Sequence, residues 1–249
     1  MIEASVKVVK EMCLLARRFG SQFFDLWLGV VTTDEMAARE LGLDCTEYLK
    51  IHRALPFMGV WRLLRRLDPA PSDGLLDIGC GVGRVICVAA QYPLYRVVGI
   101  DIDERCCALA ERNVHNLRSC TIRPEVICMD ASVYKVPDDI TIIFFYNSFR
   151  GDQLRSMLGN VIESYDRAPR RIRLIYANPR EHDLIISTER FRETSRFWIS
   201  WRPGAEWGRT QMMRFYEVEP RRAHQPVEPI GDRHPLLSGT AGFSPSAKS

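Results

Sequence analysis

In the stretch LLDIGCGVGRV, three glycines recur at every second position, Gly79, Gly81 and Gly83, directly after a short apolar run. Asp77 stands two residues before the first of them, and Asp101 and Asp130 close two later runs, YRVVGID and EVICMD. Glycines in such a turn let backbone approach a ligand closely and leave N–H groups aimed outward. Carboxylates at strand ends are acceptor-only groups suited to paired hydroxyls or to an ammonium. The turn therefore fits a nucleotide-like ligand. A dinucleotide fingerprint needs its third glycine three positions after the second, and Arg84 or Ile86 occupies that place. No Gly-Lys-Ser/Thr follows either, so a phosphate-cradling P-loop is excluded.

The elements that must position these residues alternate. GLLDIG reads as a buried strand, Gly83 to Gln91 as a helix, YRVVGID as a strand and Glu104 to Asn116 as a helix. EVICMDA and ITIIFFYNSF are further strands, Asp152 to Tyr165 is a helix, and RIRLIYANP is a fifth strand. Such alternation predicts an α/β fold, a doubly wound parallel sheet covered on both faces. FRETSRFWISW and TQMMRFYEV, joined by RPGAEWGR, predict an antiparallel C-terminal hairpin, which makes seven strands. Upstream, Val8, Met12, Leu15 and Phe19 recur at helical spacing, and Met58 to Leu67 reads as a helix closed by DPAPSDG. The expected organisation is an N-terminal helical cap over 1–57, the α/β domain over 58–219, and a disordered, proline-rich tail over 220–249.

Composition narrows the function classes. A net charge of +3 in 249 residues does not demand a nucleic-acid or membrane partner. The start, MIEASVKVVKEMC, lacks the basic-then-apolar order of a secretory signal, and the apolar runs are too short for a membrane helix, so a cytoplasmic location is expected. None of the eight cysteines forms a Cys-x-x-Cys pair and the five histidines are scattered, so neither a metal site nor a disulfide framework is expected.

The Gly-x-Gly-x-Gly turn with its upstream acid resembles motif I of class I S-adenosylmethionine-dependent methyltransferases, and the resemblance covers roughly residues 70–218. It implies a Rossmann-like fold and S-adenosylmethionine as cofactor. Asp77 is then expected near the ammonium, with the N–H groups of the turn (Gly79, Cys80, Gly81, Gly83) facing the carboxylate. Asp101 would take the ribose hydroxyls, with Ile102 beside it, and Asp130 the adenine amino group, with the small Ala131 beside the flat ring. Asn147, at the end of the fourth strand, would lie near the transferred methyl. FFDLWLGVVTTDEMAARELGLD also looks like the lead-in of a largely uncharacterised bacterial group of these enzymes. Gly29, Val30 and Thr32 fit that group's pattern, whereas Val31 stands at its acidic position and Ser148 where it has proline. Those departures leave the acceptor atom, nitrogen or oxygen, open.

Two residues are the catalytic candidates. Asn147 would position the acceptor, and His182, in ANPREHD after the fifth strand, would act as general base for a hydroxyl acceptor. Tyr146 and Tyr176 are candidates for the cavity wall, while Glu181 and Asp183 read as solvated. The arginines at 62, 65 and 66 and at 167, 170, 171 and 173 precede the first and fifth strands and so belong to the amino end of the sheet, away from the site. A nucleic-acid partner is unsupported, and no membrane partner is expected. The reading is methyl transfer to a small-molecule acceptor. A protein-lysine acceptor and a cofactor-binding protein without turnover are the alternatives.

Overall fold

The computed structural model describes residues 21–44, 55–146, 148–199 and 211–221. The helix expected over 3–19, the RPGAEWGR connection, Asn147 and all but the first two residues of the expected tail lie outside the described residues.

The seven strands are β1 (Gly74–Ile78), β2 (Arg96–Asp101), β3 (Glu125–Cys128), β4 (Ile140–Tyr146), β5 (Arg173–Ala177), β6 (Phe191–Ile199) and β7 (Gln211–Val218). They form one sheet in the order β3-β2-β1-β4-β5-β7-β6. The first five are parallel, and β7 inserts antiparallel between β5 and β6. Strand order reverses between β1 and β4, the place where ligands bind in open α/β sheets.

The helices are α1 (21–28), α2 (Asp34–Glu40), α3 (Phe57–Leu67), α4 (Arg84–Ala89), α5 (Glu104–Asn116), α6 (Gly151–Arg167) and α7 (His182–Ile186). Alternation along the strands divides the core in two. Leu75, Val97, Ile142 and Ile175 face α3 and α4 on one side. Leu76, Val98, Ile143 and Leu174 face α6 on the other. Both faces are apolar because helices cover both, as a parallel sheet requires. Asp103 caps α5, its Oδ1 accepting from the N–H groups of Arg105 (2.9 Å) and Cys106 (3.3 Å).

The N-terminal segment is bolted to this core rather than laid over it. Asp25, 1% exposed, accepts four hydrogen bonds, from the N–H and hydroxyl of both Thr32 and Thr33, at 2.6–2.8 Å. Arg84, 5% exposed, donates to Leu55 O (2.8 Å), to the Thr32 hydroxyl (3.2 Å) and to the Thr32 carbonyl, with Asp34 at 3.4 Å. Asn113 of α5 donates to Val31 O (3.0 Å) and Val82 O (2.9 Å) and accepts from Val31 N (2.8 Å). Gly29 has φ 78°, and a Cβ there would lie 2.8 Å from the Asn116 carbonyl. Among the described residues no helix is long and apolar enough to cross a membrane.

Candidate active site

A cavity of about 610 Å³ opens at the carboxyl ends of the parallel strands. Asp77, Gly79, Cys80, Gly81, Asp101, Ile102, Asp130 and Ala131 all line it, so the turn and the three strand-end acids are brought together. Gly83 has φ 87° and completes the turn, but it does not line the cavity. Gly79 has φ 76°, which favours glycine at this first step of the turn, and the Ser148 hydroxyl lies 2.7 Å from where a Cβ would stand.

Each acid has its own environment. Asp77 belongs to β1 and is 1% exposed, and its Oδ2 has no hydrogen-bond partner among the described residues. Burial first, and then the charge of Asp101, push its carboxyl well above the ordinary carboxylate range. Asp101 is held by backbone. Its Oδ2 accepts from Gly81 N (2.7 Å) and its Oδ1 from Asp103 N (3.0 Å), which leaves lone pairs on both oxygens for a pair of hydroxyls. Asp130 accepts from Ser132 N at 2.8 Å, and hydrogen bonds from Ser132 hold it below the usual range. Asn160 of α6 secures that turn by donating to Ala131 O (3.2 Å) and Ser132 O (2.9 Å). Ile102 and Met129, 69% and 42% exposed, offer apolar surface for a flat ring beside the buried Ala131.

The structure corrects one expectation about the turn. The N–H groups of Gly79 and Cys80 both donate to Ile100 O (2.8 and 2.9 Å), that of Gly81 to Asp101, and that of Gly83 to Cys80 O (2.9 Å). The first three donors hold the turn against β2 and the fourth closes the turn on itself, so they are already used inside the protein and do not stand free for a carboxylate. In the same region the Asp77 side chain keeps an oxygen without a partner among the described residues.

The other half of the cavity comes from β4, β5 and the loops after them: Phe144, Tyr146, Ser148, Phe149, Arg150, Gln153 and Arg180. His182 is not among them. Its Nδ1 lies 2.9 Å from the Tyr216 hydroxyl, and its Nε2 faces Glu193 at 3.7 Å, so both ring nitrogens look toward the β6–β7 hairpin. Burial, and then Arg214, lower its pKa. Tyr176 is fully buried and stacks on Phe145 at 4.3 Å, while its hydroxyl accepts from Arg180 N at 3.2 Å. Arg150, Arg180, Phe149 and Leu55 were not singled out from the sequence. Arg150 and Phe149 could have been found by counting onward from the end of β4.

The basic clusters at the amino ends are taken up by the protein itself. Arg173 pairs with Asp73 (2.6 Å), Arg171 with Glu217 (2.6 Å) and Arg167 with Asp138, while Arg170 donates to main-chain oxygens. Arg65 stacks over Trp61 and Arg66 over Phe197.

Comparison with known proteins agrees with this fold. Residues 75–165 match the profile of a family described as a methyltransferase domain. No curated protein matches the sequence. Among solved structures, magnesium protoporphyrin IX methyltransferase from Synechocystis PCC 6803, with S-adenosylmethionine bound, aligns with TM-score 0.52 at 15% identity, over 82% of this chain and 97% of its own. A glycopeptide N-methyltransferase aligns with TM-score 0.53 at 13% identity, over 68% and 92%. An RNA methyltransferase from Salinibacter ruber aligns with TM-score 0.50 at 16% identity, over 71% and 99%. Residues 75–165 thus resemble a methyltransferase domain, and the fold is that of the class I, S-adenosylmethionine-dependent methyltransferases. S-adenosylmethionine is the cofactor of that class.

Proposed function

We propose that this protein transfers a methyl group from S-adenosylmethionine to a nitrogen or oxygen of a small-molecule acceptor. The observation that carries the reading is Asp77, a buried carboxyl with an unpartnered oxygen that lines the cavity. Such a group is costly unless a cation completes it, and the ammonium of the cofactor is one. Bound there, S-adenosylmethionine supplies an electrophilic methyl whose departure leaves a neutral thioether. Asp101, fixed by two backbone donors, takes the ribose hydroxyls, and Asp130 takes the adenine amino group. Tyr146 and Phe149 wall the space next to the turn, where an acceptor held within about 3–3.5 Å of the methyl reacts in line. Asn147, next in the chain after β4, is proposed as the positioning residue for that acceptor.

The described lining of the acceptor half holds no histidine or carboxylate. This favours an acceptor that sheds its proton to water, as an amine does, over one that needs a protein base. In this reading His182 orders the loop after β5 through Tyr216. Ser148, Arg150 and Arg180 are exposed at the cavity rim, which gives an acceptor a route from solvent and argues against a binding protein without turnover. Two guanidiniums at that rim also disfavour a lysine acceptor.

A thermal-shift panel tests the cofactor. S-adenosylmethionine and S-adenosylhomocysteine should raise the melting temperature, whereas nicotinamide and flavin dinucleotides should not. Stabilisation by a dinucleotide alone would falsify the reading. Asp101→Ala should weaken S-adenosylhomocysteine about tenfold or more, since charge-assisted hydrogen bonds are worth about 1.5–3 kcal/mol.

A further inference from the structure

Charge divides the cavity along the order of the strands. On the side of β1, β2 and β3 its charged lining is acidic: Asp77, Asp101, Asp103 and Asp130. Arg84 also lines that side, but its guanidinium is spent on Thr32, Leu55 and Asp34. On the side of β4 and β5 the charged lining is Arg150 and Arg180, with no acid. Arg150 immediately precedes α6 and Arg180 follows β5, so the two come from the carboxyl ends of neighbouring parallel strands.

Many of the described arginines are tied down. Arg96, Arg112, Arg167, Arg171, Arg173, Arg190, Arg192 and Arg214 each pair with a carboxylate. The Arg150 and Arg180 side chains have neither an ion pair nor a side-chain hydrogen bond among the described residues, although Asp152, Glu181 and Asp183 stand close by in sequence. Gln153, one turn into α6, adds a neutral donor to the same wall, and Tyr146 and Phe149 add apolar surface between it and the turn.

The geometry points to an acceptor that carries a compact oxyanion, a carboxylate or a phosphate, gripped by Arg150 and Arg180 while its apolar body lies against Tyr146 and Phe149. This rests on the methyl-transfer reading above and names the chemistry of its second substrate. Guanidinium presents planar, paired donors that match either oxyanion, and its charge persists at every physiological pH. A cationic sulfonium on the acidic side and an anionic acceptor on the basic side are both placed where the field favours them.

The test uses the full chain saturated with S-adenosylhomocysteine. It is screened by thermal shift against matched pairs: aryl and alkyl carboxylates with their carboxamides, and phosphate monoesters with their parent alcohols. At least one charged member should stabilise the protein where its neutral partner does not. Its affinity should fall about tenfold or more in Arg150→Gln/Arg180→Gln, with partial recovery in the double lysine variant. S-adenosylhomocysteine affinity in the glutamine variant should stay within about twofold, which shows that the variant is folded. Response to carboxylates alone or to phosphates alone supports the inference and identifies the oxyanion. If no pair is discriminated, or the discrimination survives in the glutamine variant, the oxyanion site is overturned and the cofactor reading stands. If the unaltered chain does not bind S-adenosylhomocysteine, the methyl-transfer reading falls and this inference falls with it.

Discussion

Asp77 is a carboxyl kept in a core with one oxygen unsatisfied, and two predictions follow from its chemistry. Its folded pKa is raised above the ordinary 3.8, so above that pH the native state binds more protons here than the unfolded chain does. Stability from this group is present in full below about 3.8 and is lost as pH rises through the raised value. Urea midpoints of the cofactor-free protein should therefore decline over that window, and Asp77→Asn should flatten the decline; superimposable profiles would refute the assignment. Binding of the ammonium favours the ionised carboxylate, so S-adenosylmethionine should release a proton on binding below the raised pKa. Calorimetry in buffers of different ionisation enthalpy reads that proton directly. Asp77→Asn should abolish the release and weaken binding about tenfold or more. The strand-end acids were legible in the sequence because a strand's end and a glycine turn fix where the backbone goes. His182 was legible as a residue of the loop after β5 but not in its direction. Tyr216 and Glu193, on the distant hairpin, decide where its ring points. Single-turnover rates should reflect this: His182→Ala should cost well under the roughly 10²–10⁴-fold expected of a general base.

At the scale of elements, helical and strand periodicity carried the reading wherever packing on the sheet set the pattern. Glu104–Asn116 appears with the bounds expected of it, and α3 and α6 differ from expectation by a residue or two at their ends. α1 and α2 lie within the segment expected to be a helical cap, but their bounds were not read, and the five-residue α7 was missed because so few residues hold too little periodicity to register. α1 and α2 are instead joined by side-chain chemistry, with Asp25 tying the Thr32–Thr33 loop between them. Asp25→Ala would strand several buried donors, at about 1–3 kcal/mol each. A loss of about 3 kcal/mol lowers the melting temperature of a chain this size by about 6–12 °C. Calorimetric scans of the variant check it, and a shift below a degree would mean that the loop is held otherwise. Arg84 was noted from the sequence as the residue where a dinucleotide site needs glycine. The structure gives it a second role as the tie between the glycine turn's helix and the N-terminal segment. Its partners lie 29–52 residues away in the chain, a separation that no local pattern encodes.

The whole molecule separates its charges by the direction of the sheet. Arginines at the amino ends of the strands are neutralised by carboxylates and carbonyls, while Arg150 and Arg180 stand at the carboxyl ends. Removing a pair at the amino end should leave the site untouched. Arg171→Gln is expected to keep S-adenosylhomocysteine affinity within about twofold, because exposed ion pairs contribute about 0–1 kcal/mol. A larger change by calorimetry would show that the two ends are coupled. The sheet order itself was legible as a class, since alternating strands and helices followed by a hairpin admit few topologies. The sequence led to an antiparallel C-terminal hairpin but not to the insertion of β7 between β5 and β6, which no residue of the hairpin signals.

The bolting of residues 25–34 to the core has an evolutionary consequence. Asp25, Thr32, Arg84 and Asn113 form a buried polar network whose groups are satisfied by one another, by the loop they hold, and by the Leu55 and Val82 carbonyls. A lineage that replaces Arg84 leaves the Thr32 and Leu55 carbonyls bare, and one that sheds the N-terminal segment takes away every acceptor of the Arg84 guanidinium. Single changes inside the set are therefore selected against, whereas joint changes are tolerated. The coupling is measurable in this chain: a double-mutant cycle on Thr32 and Arg84 should give a non-additive loss of stability, and additive losses would mean that the network is not a unit.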